Sequence, residues 1–258
     1  MGFDGIVVAL FLLAVAYVVN QAVAYIEQQT SIKFLDEEFK NQLREKTLEE
    51  KSLFDLLDIT FRFEPPRYKY SFYKAEQDEQ PRSLFMTVRN KSKDVNIYID
   101  WNQSSITDYK GTSRRVIRLG MDERLNPAFY PLNFQVPSPV APGCAVTSRI
   151  TAEDILKAET DEKSGDKFLK PSEPILSLSK LQADIKNKKL PKEVRERREK
   201  QKLDFEEWRN PLEFSIRLML RMADLNKNKA SEYQYALLLK FTVNRVVWRH
   251  VLPWNPKK

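Results

Sequence analysis

Twenty-one consecutive residues near the amino end, Ile6–Ile26 (IVVALFLLAVAYVVNQAVAYI), carry no charge. As a helix this run would extend about 31 Å, the thickness of a bilayer core. A soluble helix so apolar on every side would need core around its whole circumference. The run therefore predicts a membrane anchor over residues 1–26, in contact with lipid through residues 6–26. Ile6, Leu10, Leu13, Val19 and Ile26 are its apolar members, and Tyr17 and Tyr25 suit an interfacial belt. A second reading stays open. Ala22-Val23-Ala24 has the small-x-small form of a signal-peptide cleavage site, which would leave a secreted or periplasmic protein beginning near Ala24. Against cleavage, the preceding residues contain Asp4 and no Lys or Arg. The first cations after the run are Lys33, Lys40, Arg44 and Lys46. That asymmetry places the bulk of a single-pass protein on the cytoplasmic side.

Beyond the anchor, Ile32, Leu35, Phe39 and Leu43 recur at three- and four-residue spacing among charges. Neither Pro nor Gly occurs from 27 to 52, so a helical stalk is expected over 27–56. The period then changes to two. Residues 58–63, 83–90, 96–101, 114–119 and 145–150 are short alternating or apolar runs separated by turn signals such as Asp108-Tyr109-Lys110-Gly111 and Pro139–Gly143. This spacing means antiparallel strands rather than β-α-β units, with 57–155 forming the first part of a β-sandwich. Residues 210–258 close it with a long hairpin and an aromatic tail. Phe214, Ile216, Leu218, Leu220 and Met222 alternate with less apolar neighbours, as do Tyr233, Tyr235, Leu237, Leu239, Phe241 and Val243. A helix over 212–223 competes, because Asn210-Pro211 is a helix-start signal. The second alternating run favours strand.

The interval 156–209 reads differently. Lys180–Lys202 holds ten Lys or Arg against four Asp or Glu, a local excess of six in a chain of net charge +7. Basicity is thus a property of one partly helical insertion, read as projecting from the sandwich between two strands. Lys188, Lys189, Arg195, Arg197, Arg198, Lys200 and Lys202 are its candidate contacts, for anionic headgroups or for an acidic protein surface. No aromatic residue lies within 180–202 to stack on bases, which disfavours nucleic acid as a partner.

The block Ser83–Ile150 resembles a recurrent pattern among uncharacterised bacterial membrane-anchored and lipoprotein-like immunoglobulin-like β-sandwich proteins. The matching residues are Val88-x-Asn90 with Lys91-Ser92, Ile99-Asp100-Trp101-Asn102-x-Ser104-Ser105, Gly111-x-Ser113-x-Arg115-Val116-Ile117, and Pro139–Gly143. The terminal hairpin is similar to the way such domains close, and the basic insertion departs from them. The resemblance covers about half of the chain. It implies an immunoglobulin-like fold, a plasma or internal photosynthetic-type membrane, and no chemistry that can be carried to a residue.

Reactive groups are few. One Cys (Cys144) and one His (His250) fall short of a Cys/His zinc site, which takes about four ligands. The six glycines are scattered, without a phosphate-binding loop. Ser104 or Ser105 with His250 would be the sole Ser–His–acid set, and no GxSxG elbow surrounds either serine. No catalytic, cofactor-binding or metal-ligating residue is therefore assigned, and a small-molecule substrate is disfavoured. Trp101, in the unusual Asp100-Trp101-Asn102-Gln103-Ser104-Ser105 stretch, is read either as a core aromatic or as a partner contact. Trp248 and Trp254 are possible contacts in the tail. The expectation is a mainly β, non-enzymatic, single-span protein whose sandwich serves interaction or assembly with another membrane-associated protein. A membrane-tethered hydrolase or ligand-binding protein on the same scaffold is the alternative.

Overall fold

The computed structural model describes residues 3–74, 78–120, 124–125, 134–162, 164–224 and 232–247. The chain is mainly β, with 43% strand against 29% helix, and combines an N-terminal apolar helix with a curled antiparallel sheet. Helix α1 (Phe3–Glu27) contains the uncharged run. Ile6, Leu13, Val19 and Tyr25 are all exposed, and none of the apolar window packs against the rest of the chain. The Gln28 amide closes the last turn on the Ala24 carbonyl at 3.2 Å.

Strand β1 (Gln29–Phe34) begins at the next residue. It pairs with the last strand of the chain from Thr30↔Arg245 to Phe34↔Phe241. The expected continuous stalk over 27–56 is corrected here. Thr30 and Ile32 alternate inward on a strand, and only the Phe39, Leu43 part of the pattern is helical, with Leu35 at the cap before it. That part is α2 (Asp36–Glu45), whose first turn carries Asp36, Glu37 and Glu38, favourable at the positive end of the helix dipole. Periodicity alone could not separate the two, because Ile32 satisfies both repeats. A small hairpin of β2 (Thr47–Leu48) and β3 (Lys51–Ser52) follows. Then comes the single turn α3 (Leu53–Leu56), capped by the Ser52 hydroxyl, which accepts from the Phe54 amide.

The main sheet takes β4 (Leu57–Arg62), β5 (Tyr68–Lys69), β6 (Leu84–Asn90), β7 (Val95–Thr107), β8 (Ser113–Leu119), β9 (Ser138–Val140), β10 (Ala145–Ala152), β13 (Leu212–Asp224) and β14 (Glu232–Arg245) together with β1. Its order is β4-β6-β10-β8-β7-β13-β14-β1-β5, with β9 also on β7. The sheet turns at β8. Ser113–Arg115 of β8 pair with β7, whereas Val116–Leu119 pair with β10. The curl brings the two ends of the order together. Phe61 on β4 lies 5.1 Å from Phe34 of β1 and 4.8 Å from Phe241 of β14. The terminal hairpin is the longest pairing, running from Leu212↔Val243 to Ala223↔Glu232. Phe214, Ile216, Leu218, Leu220 and Met222 are buried from one strand, and Leu237, Leu239, Phe241 and Val243 from the other. That burial is what holds 212–223 as strand against its helix-start signal.

Residues 156–209 contain the hairpin β11 (Leu156–Thr160) and β12 (Lys167–Pro171), then α4 (Leu178–Lys186) and α5 (Lys192–Glu206). The helices do not project. Leu178, Leu181 and Phe205 are buried, the Tyr109 hydroxyl donates to the Ser177 carbonyl at 2.8 Å, and Lys110 pairs with Asp184 at 2.5 Å. A few apolar anchors spaced among many charges suffice to lay a polar segment against the sheet.

Candidate functional site

The Asp100–Ser105 stretch resolves into a fold device. β7 is displaced against β13 between Arg217 and Met219, and the irregularity closes on its own polar groups. The Asp100 carboxylate accepts from the amides of Asn102 (3.1 Å) and Gln103 (3.3 Å). The Ser104 hydroxyl donates to the Asp100 carbonyl at 2.6 Å and accepts from the Met219 amide at 3.0 Å. Trp101 is 0% exposed, and its Nε1 donates to the Ser138 hydroxyl at 2.9 Å. The partner-contact reading of Trp101 is thereby corrected. Val95, Ile97, Ile99 and Trp101 are buried in simple alternation, so the indole lies on the core face of β7, and the phase shifts only beyond it, where Ser104 and Ile106 turn inward. Ser104 spends both its donor and its acceptor on backbone, which leaves no activated nucleophile there. His250, Trp248 and Trp254 lie outside the described residues.

The basic segment divides in two. Lys188 and Lys189, in the turn between α4 and α5, are exposed, as are Arg197 and Lys200 on the outer side of α5. Arg198 faces inward at 8% exposure and donates to Gln201 Oε1 at 2.8 Å and to the Lys110 carbonyl at 3.4 Å. Arg195 is half-buried. Lys202 donates to the Tyr73 hydroxyl at 3.2 Å, lies 5.1 Å from the Phe72 ring centre and pairs with Glu206 at 3.7 Å. The seven candidate cations are therefore not one patch. Arg198 and Lys202 hold the helix to the body, while Lys188, Lys189, Arg197 and Lys200 face solvent among Glu193, Glu196 and Glu199.

A second grouping surrounds the exit of α1, and the sequence reading did not single it out. Arg245, at the end of β14, donates from Nη2 to the Glu27 carbonyl at 3.2 Å and from Nη1 to the Glu206 carbonyl. Its guanidinium lies 4.1 Å from the Trp208 ring centre and 5.8 Å from that of Tyr70. Burial pushes the Tyr70 phenol up, against the opposing charge of Arg245. The Tyr70 amide donates to the Gln28 carbonyl at 3.0 Å, and the Val246 amide to the Gln29 carbonyl at 2.9 Å. Tyr70, Phe72 and Phe205 meet edge to face beneath, at 5.6–6.0 Å. Trp208 itself is 46% exposed. The one local signal was an indole in the otherwise polar Glu206-Glu207-Trp208-Arg209-Asn210.

One buried carboxylate stands apart. Asp78, 4% exposed, accepts from the Leu178 amide at 2.9 Å and so caps α4 from outside the helix. Burial, opposed by backbone hydrogen bonds from Leu178, Ser179 and Gln80, pushes its carboxyl up to about 6. Surface hollows of about 300 Å³ occur at two places among the described residues. One is lined by Tyr109, Gln201, Asp204 and Asn210, the other by Arg62, Arg82, Arg149, Glu64 and Phe85. In the latter Arg62 and Arg149 each lie 4.7 Å from the Phe85 ring centre, so the ring already engages both cations. Among the described residues no group of three or more His, Cys, Asp or Glu is placed to hold a metal ion.

These observations define a mainly β protein whose described residues include one N-terminal helix long and apolar enough to cross a membrane, a test that a signal sequence also passes. The chain matches no protein-family model and no curated protein.

Proposed function

We propose that α1 is retained as a single membrane span and that the β body is a non-enzymatic interaction module for assembling or stabilising a membrane complex. One observation carries this reading. The 23-residue apolar helix Gly5–Glu27, of mean hydropathy 2.4 and unburied along its window, continues after one residue into a strand held on both sides within the sheet. Tethering concentrates the body near partners in the same membrane, and strand pairing makes it a rigid platform. The cations that follow α1 support a cytoplasmic position for the body. We also read the curled sheet as a relative of immunoglobulin-like sandwiches, on the strength of the sequence resemblance and the closure of β4 against β1 and β14.

The contacts of the reading are Lys188, Lys189, Arg197 and Lys200, the solvent-facing part of the basic segment. Reversing these four to Glu is expected to abolish co-purification of a protein partner from detergent-solubilised membranes, with the amount of chain in the membrane unchanged. Unaltered recovery of the same partner removes the basic surface from the proposal. Recovery of a mature chain starting near Ala24 in the aqueous fraction removes the tether.

A further inference from the structure

A half-exposed tryptophan sits two contacts from the last residue of the apolar helix. The Trp208 ring covers the Arg245 guanidinium at 4.1 Å, and that guanidinium donates to the Glu27 carbonyl at 3.2 Å. Three further interactions fix this corner of the body to the helix exit. They are the Arg245 bond to the Glu206 carbonyl at the end of α5, the Tyr70 amide on Gln28, and the Val246 amide on Gln29. Trp208 stands at the bend that follows α5, at φ 55°, with its amide on the Phe205 carbonyl at 3.3 Å. The backbone there is in the left-handed region, uncommon for a residue of this bulk.

We propose that Trp208 is an interfacial anchor that seats the body on the lipid surface beside α1. The inference rests on the reading of α1 as a retained span. The headgroup layer is roughly 5–8 Å deep on each side of the hydrocarbon, so groups in contact with the end of a spanning helix lie within or beside it. An indole favours that layer because its ring is apolar and its N–H finds polar partners there. Tyr25, exposed on α1 two residues before Glu27, belongs to the same level.

The contact is aromatic, not electrostatic. Arg245 directs its donors to two backbone carbonyls, and Arg209 pairs with Glu207 and, at 3.9 Å, with Asp204. The occupant is accordingly a phospholipid surface without a requirement for anionic headgroups. The exposed lysines 188 and 189 belong to a different location. They precede α5, whose 15 residues span about 22 Å at 1.5 Å each.

The test uses the full chain with Trp248→Phe and Trp254→Phe, reconstituted in zwitterionic vesicles. Trp101 is enclosed in the core and gives a constant background, so lipid-dependent fluorescence changes report Trp208. Lipids brominated near the top of the acyl chain are expected to quench the emission, and iodide in the water is expected to quench it less than it does in denaturant. Adding Trp208→Phe removes the lipid-quenched component. Salt and added anionic lipid leave it unchanged. Full iodide access without lipid quenching, in a chain that still floats with the vesicles after an alkaline wash, overturns the interfacial anchor and leaves the span intact. Quenching that requires anionic lipid and vanishes in high salt overturns it as well, since the contact would then be ionic. A chain that fails to float takes down the span and the anchor together.

Discussion

Trp101 and Trp208 each stand among charged neighbours, and the two surroundings use the indole in opposite ways. At Trp101 the Asp100 carboxylate and the Ser104 hydroxyl are taken up by neighbouring backbone amides and a carbonyl, and the ring is 0% exposed beside Ser138. At Trp208 the Arg245 donors end on backbone carbonyls, but they tie α1, β14 and α5 together and leave 46% of the indole outside. The first arrangement stabilises one sheet. The second joins three segments and keeps an apolar surface beside the exit of α1, the level at which we propose that lipid begins. An aromatic among charges is thus no guide to function until the destination of each hydrogen bond is known.

The comparison breaks or sharpens with a graded series. The largest effect is expected for Trp101→Ala, which empties a core site and costs about 3–5 kcal/mol. Trp208→Ala, at a half-exposed site, costs about 1 kcal/mol or less. Urea denaturation of both full-length chains in detergent measures the gap, and equal losses would erase the distinction between the two indoles.

Next comes the Asp78 carboxylate. Its proton leaves near 3.8 in the unfolded chain and near 6 in the folded one. The folded state therefore holds that proton more tightly. The stabilisation it brings is complete below pH 3.8 and is lost as pH rises through about 6, with a span on the order of 3 kcal/mol. In Asp78→Asn this component disappears, so the difference in stability between wild type and variant should change between pH 4 and 7 and stay flat above. A constant difference across that range would show that the carboxyl does not titrate there.

Ser104→Ala follows. It leaves the Met219 amide without its side-chain acceptor and deletes the hydroxyl donor to Asp100, for about 1–3 kcal/mol by the same denaturation assay. The smallest effect per residue, within about 0.5 kcal/mol, is expected for Lys188, Lys189, Arg197 and Lys200 reversed together, because all four face solvent. A large loss on that reversal would mean that these cations, like Arg198, serve the fold.

How far the sequence discloses this architecture depends on whether a pattern repeats locally. The hairpin β13–β14 is legible because Phe214 to Met222 and Tyr233 to Val243 alternate over many residues. The apolar helix is legible from its unbroken lack of charge. β1 was hidden because Ile32 fits a two-residue and a four-residue repeat equally, and its true partner lies at Val243, at the far end of the chain. The inward turn of Arg198 and Lys202 was hidden in a run that reads as uniformly basic, since their acceptors, the Lys110 carbonyl and the Tyr73 hydroxyl, are far away in sequence. The contact of Arg245 with Glu27 spans almost the whole chain, and neither residue carries any local mark of it. Burial of Trp101 was legible as one of two readings. Trp101 continues the alternation of Ile97 and Ile99, and their burial places the indole on the core face.

Gln28 alone separates the apolar helix from the first paired strand, and its carbonyl is itself taken by Tyr70. A body mounted in this way has no slack. On the proposed reading of α1 as a retained span, it drifts in the plane of the bilayer and spins about the perpendicular, but it cannot reach upward. Whatever it meets must offer a matching face at one fixed altitude, so a few glycines inserted at this joint would change which encounters are geometrically allowed without altering a single contact residue.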